Sequence, residues 1–94
     1  MRHALPGAGR HRELVTEAGV ITLRLAVPGD LDELERLAQL DSAQLPPGPI
    51  LLAQVDDELR VALSLSDGMV IANPFHPAVE LIGLMHEHAA ELSG

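Results

Sequence analysis

The sequence predicts an α+β fold: a mostly antiparallel four-stranded sheet, in the element order β-α-β-β-β-α, with helices covering both of its faces. Three observations predict this fold. Apolar residues alternate with others over residues 21–27, two nearly continuous apolar runs flank an acidic turn, and two segments repeat apolar residues at helical spacing. We expect residues 1–19 to form a flexible N-terminal tail and residues 20–94 to form the folded domain.

The first predicted strand is followed directly by the first predicted helix. The alternating run ends at Pro28-Gly29, and Asp30 then stands at a helix N-cap position with Glu33 three residues later, as in a capping box. One apolar stripe predicts a helix over residues 31–41, and it consists of Leu31, Leu34, Leu37 and Ala38.

Two hairpins are predicted between residues 50 and 72. Asp56-Asp57-Glu58 separates the first pair of strands, and Asp67-Gly68 precedes the third strand of this region, Val70 to Ala72. The nearly unbroken apolarity of residues 50–53 and 61–63 indicates central strands that are covered on both faces. We interpret the three adjacent carboxylates as a solvated turn rather than a cation site.

The last predicted helix carries an apolar stripe along its whole length. The stripe consists of Ala78, Leu81, Ile82, Met85, Ala89 and Leu92. His86-Glu87-His88 with Glu91 has the composition of a metal site, but helical residues two apart point in different directions. We therefore predict a solvated helix surface there and no metal site, and we place Met85 and Phe75 in the core.

Composition excludes several functional classes. The chain has a net charge of -8, with 6 basic residues against 14 acidic ones, so we expect no nucleic acid partner. It contains no cysteine, which removes disulfides and cysteine nucleophiles, and no apolar stretch approaches the roughly 18 residues of a membrane span. A cytoplasmic protein without a membrane partner is the expectation, and no residue pattern predicts a catalytic site.

Two stretches carry a resemblance to a known family. Residues 22–26, Thr-Leu-Arg-Leu-Ala, lead into Pro28-Gly29-Asp30 and a leucine-rich helix, and residues 52–55, Leu-Ala-Gln-Val, precede the acidic turn. In this order the chain resembles the N-terminal half of the GNAT (N-acetyltransferase) superfamily, and especially short GNAT-like proteins of high-GC bacteria. The resemblance covers residues 20–92 in element order, and it implies a truncated, partial GNAT-like fold.

The chain departs from that family at the coenzyme loop. In the family a glycine-containing loop and the following helix start hold the pyrophosphate of acetyl-CoA through backbone amides. The equivalent stretch here, residues 73–77, has no glycine and contains Pro74 and Pro77, which carry no amide hydrogen. The family's later strands and its tyrosine acid have no counterpart, so no catalytic residue is carried over and the cofactor-binding residues are unknown.

These observations leave three hypotheses open. The first is a non-catalytic GNAT-like binding or dimerisation module without a cofactor, acting as a homodimer or with a complementing protein chain. The second is an N-acetyltransferase subunit that uses acetyl-CoA and takes its missing half from another chain. The third is a gene fragment without a selected function.

Overall fold

The computed structural model describes residues 11–17 and 19–93, and it confirms the α+β class with a fully antiparallel sheet. Five strands follow one another across the sheet in chain order: β1 (His11–Thr16), β2 (Gly19–Leu25), β3 (Ile50–Val55), β4 (Glu58–Ser64) and β5 (Val70–Ala72). Helix α1 (Leu31–Leu40) lies between β2 and β3 in the chain, and helix α2 (Val79–Ser93) follows β5.

The strand β1 corrects the predicted strand count from four to five. It lies within the range predicted to be a flexible tail, and it pairs with β2 over its whole length. The sequence signal for β1 is weak, because within residues 12–16 Leu14 alone packs on a core, and its neighbours Glu13 and Val15 are exposed. Residues 1–10 of the predicted tail lie outside the described residues.

The hairpin of β1 and β2 is fastened to the turn between β3 and β4. Asp56 donates its N–H to the Val20 carbonyl and accepts the Val20 N–H on Oδ1, both at 2.9 Å. The Asp56 carboxylate also lies against Gly19, where a Cβ atom would stand 2.5 Å from Oδ2. Gly19 has φ +130°, so both its conformation and its contact require glycine.

Each face of the sheet carries one helix and one aliphatic core, as the two nearly continuous apolar runs predicted. On one face α2 packs over the core formed by Ile21, Leu23, Leu51, Ala53, Val55, Val61, Leu63, Leu81 and Met85. On the other face α1 packs over the core formed by Leu34, Leu37, Ala38, Ile50, Leu52, Leu59, Ala62 and Ile71. All six residues of β3 are buried, because β3 is central and covered on both sides.

Asp30 lies at the start of α1 as predicted, but its side chain makes no capping hydrogen bond to that helix. Its carboxylate accepts two hydrogen bonds from the Arg24 guanidinium, at 2.8 and 2.9 Å, and a third from the Val27 N–H at 2.8 Å. The hydrogen bonds from Arg24 hold the pKa of Asp30 below its usual range. A half-buried ion pair therefore ties β2 to the start of α1.

Candidate binding groove

A groove of about 550 Å³ opens beside the start of α2. One wall is the first part of α2, and the other is formed by the end of the β1–β2 hairpin and by the adjoining ends of β3 and β4. Its apolar lining consists of Ile21, Val55, Pro77, Val79, Leu81 and Leu84, and its polar lining consists of Thr16, Glu17, Arg60 and Glu80. The volume lies in the range of pockets that hold ligands.

The groove exists because α2 covers only part of its sheet face. The helix packs mainly on β3 and β4, so the neighbouring hairpin of β1 and β2 extends beyond it. Ile21, Val55 and Leu81 are buried at the floor, whereas Val79 is 84 % exposed at the mouth. An apolar surface is thus left accessible between helix and hairpin.

The charges around the groove are mostly negative. Glu17 and Glu80 are exposed on opposite walls. Among the described residues that line the groove, Arg60 is the single cation, and its Nε donates to Glu58 Oε1 at 2.8 Å. An occupant therefore meets two carboxylates and a cation that already has a carboxylate partner.

The loop before α2 uses its amide donors internally. Asn73 Oδ1 accepts the Phe75 N–H at 2.9 Å, and the Asn73 carbonyl accepts the His76 N–H at 3.3 Å. Pro74 and Pro77 have no amide hydrogen. This loop is the stretch that the resemblance equates with the acetyl-CoA loop, and in this conformation residues 74–77 offer no amide to a phosphate.

Met85 and Phe75, both predicted to lie in the core, differ in their burial. Met85 is fully buried between α2 and the sheet, as predicted. The prediction for Phe75 is wrong, because the residue is 76 % exposed. The turn closed by Asn73 places Phe75 between two prolines on the surface, so the chain's one aromatic ring contributes nothing to either core.

His88 corrects the prediction of a solvated surface on α2. Its side chain is buried, with the residue 2 % exposed, whereas its neighbours His86 and Glu87 are exposed. His88 Nδ1 lies 3.4 Å from Glu91 Oε1, but without hydrogen-bond alignment, and neither ring nitrogen has a hydrogen-bond partner in the described part of the chain. The signal was present in the spacing, since His88 follows Leu81 and Met85 by seven and three residues.

Glu91 also links α2 to the edge of the sheet. Arg12 Nη1 on β1 lies 3.3 Å from Glu91 Oε2, and both side chains are about half exposed. Only two of the four residues of this cluster, His88 and Glu91, approach each other, and within residues 11–17 and 19–93 no three His, Asp or Glu side chains form a metal-binding group.

Several other polar side chains have structural contacts. Asp56 of the acidic turn holds the β1–β2 hairpin, and Asp41 Oδ2 accepts the Ala72 N–H of β5 at 3.1 Å. Ser64 is buried, its Oγ lies 3.1 Å from Ser66 Oγ, and it accepts the Asp67 N–H at 3.3 Å. These contacts stabilise turns and a strand edge.

Searches of protein-family models, curated proteins and solved structures found no match to the chain. Neither α1 nor α2 combines the length and apolarity that crossing a membrane requires.

Proposed function

We propose that the chain is a GNAT-like half-domain that acts as a non-catalytic binding module in the cytoplasm. The observation that carries this proposal is the open groove beside α2, with its buried apolar floor and exposed apolar mouth. Its lining combines aliphatic side chains with only a few polar groups, which is the usual composition of a binding pocket.

Two features favour binding of a protein or ligand over acyl transfer from acetyl-CoA. The coenzyme carries several negative charges, whereas Glu17 and Glu80 stand at the groove and Arg60 is paired with Glu58. The amides of Phe75 and His76 are used within their own loop, so they do not form the donor array that a pyrophosphate needs.

The proposal includes self-association, as a homodimer, through the β1 edge. The opposite edge is partly blocked, because the Ala72 N–H of β5 is already bonded to Asp41. Among the described strands β1 is the other outer one, and its Val15 side chain is 85 % exposed. An outer strand offers backbone groups that a second copy can pair with.

Calorimetric titration of acetyl-CoA into the full chain at physiological salt tests the non-catalytic assignment. We expect no saturable heat, because the coenzyme meets carboxylates and a loop without free donors. Saturable one-to-one binding that survives moderate ionic strength would instead support the N-acetyltransferase alternative, since a screened surface contact weakens with salt.

A further inference from the structure

The apolar lining of the groove indicates the first property of its occupant. Val79 at the mouth is 84 % exposed, although the floor beneath it is buried. An aliphatic side chain that enters from the mouth would remove the Val79 surface from water together with its own. The occupant therefore carries an accessible apolar group.

The charged lining of the groove indicates the second property, which is the sign of the occupant's charge. Glu17 follows β1 and Glu80 lies in the first turn of α2, so the two carboxylates face an occupant from both walls. Arg60, the one cation in the described part of the lining, is held by Glu58. An occupant that carries positive charge beside its apolar group therefore fits this groove better than an acidic one.

From this combination, and resting on the proposed function, we propose that the groove binds a basic, apolar segment of another protein chain. Aliphatic side chains of the segment enter the groove over Val79, and flanking lysines or arginines lie near Glu17 and Glu80. Electrostatic complementarity of this kind selects the partner and speeds its association, while the apolar contact supplies most of the affinity.

Fluorescence anisotropy with the full chain and two labelled peptides tests the proposal. Both peptides contain the same leucine-rich centre, and they carry either lysines or glutamates on both sides. We expect saturable binding of the lysine peptide and none of the glutamate peptide. Equal binding of both would overturn the charge argument while leaving the binding module intact, and binding of neither would overturn the proposed partner.

Charge-reversal variants separate the groove from general attraction to an acidic protein. Glu17→Lys combined with Glu80→Lys should weaken lysine-peptide binding by about tenfold, because two favourable pairs become repulsive. Glu35→Lys combined with Asp32→Lys is the matched control, since both residues are exposed on α1 across the sheet. An equal loss in the control would show non-specific attraction and overturn the proposal.

A pair of exposed valines tests the apolar contact. Val79→Ser should weaken binding several-fold, whereas Val27→Ser, in the loop before α1 and 58 % exposed, should leave it unchanged. The reverse result would place the peptide near the start of α1 and refute the groove. If acetyl-CoA displaces the peptide saturably, the non-catalytic assignment fails as well, so the two failures are distinguishable.

Discussion

At the scale of single residues, the ion pair between Arg24 and Asp30 is the contact with the clearest energetic consequence. The Asp30 carboxylate is buried and accepts three hydrogen bonds, two of them from a guanidinium. Asp30→Asn should lower the free energy of unfolding by about 2 kcal/mol at neutral pH, because charge-assisted bonds become neutral ones. Asp32→Asn, at an exposed position of α1, should change it little in the same denaturant titrations.

The same pair predicts a direction for the pH dependence of stability. The pKa of Asp30 is lowered in the folded chain, chiefly by its hydrogen bonds from Arg24. Its contribution is therefore fully present above the unfolded pKa of about 4, and it is lost as the pH falls through the lower folded pKa. The stability difference between the original chain and Asp30→Asn should shrink below about pH 4. A difference that stays constant to lower pH would contradict the role of the charge.

His88 supplies a second prediction at this scale. Its buried imidazole finds no hydrogen-bond partner among the described residues, which costs free energy that an apolar side chain of similar size does not. His88→Leu should therefore raise the free energy of unfolding by about 1 kcal/mol, and His86→Leu, at an exposed position, should leave it nearly unchanged. A loss of stability in His88→Leu would mean that the approach of Nδ1 to Glu91 stabilises the fold.

At the scale of elements, the turn between β3 and β4 holds Asp57 in a strained backbone conformation, and the turn does not need the Asp57 side chain. Asp56 and Asp57 have φ values of 50° and 70°, as the two central residues of a type I′ turn require. Asp56 is needed for its bond to Val20, but no hydrogen bond of the Asp57 side chain is seen among the described residues. Asp57→Gly should raise the melting temperature by several degrees, which corresponds to about 0.5–1 kcal/mol.

The matched control for the turn is Asp57→Ala. Alanine adopts a positive φ less readily than aspartate does, so this variant should melt at a lower temperature than the original chain. Equal melting temperatures for the glycine and alanine variants would show that Asp57 stores no strain.

The elements that the sequence predicted are those with a regular repeat of apolar residues or with a recognisable turn sequence. Both helices and the strands β2 to β5 follow from apolar repeats and from Asp56-Asp57 and Asp67-Gly68. The strand β1 could not be predicted in this way, because an outer strand with one half-buried face shows too few apolar residues for a clear period, and Leu14 is the residue that packs on the core. The groove was not predictable either, since it depends on how far α2 reaches across its sheet face, and no local pattern encodes that distance.

At the scale of the whole molecule, self-association through β1 is testable by light scattering. The original chain at high micromolar concentration should show the mass of a dimer, and Val15→Lys should shift it to monomer, because charged residues on an outer strand oppose pairing. Val27→Lys, at an exposed loop position, is the control and should stay dimeric. A monomeric original chain would refute the homodimer.

The agreement between strand order and chain order has a consequence for how the molecule folds. Each strand from β2 onward pairs with the strand that precedes it in the chain, so the sheet can form one hairpin at a time. The one long loop that must close between paired strands contains α1 and joins β2 to β3. Topologies rich in such local pairings fold quickly. The helix α2 follows all five strands in the chain, and it docks on a sheet that the earlier residues can already have built. The groove needs both walls, so the proposed binding surface exists only once α2 has docked on the sheet.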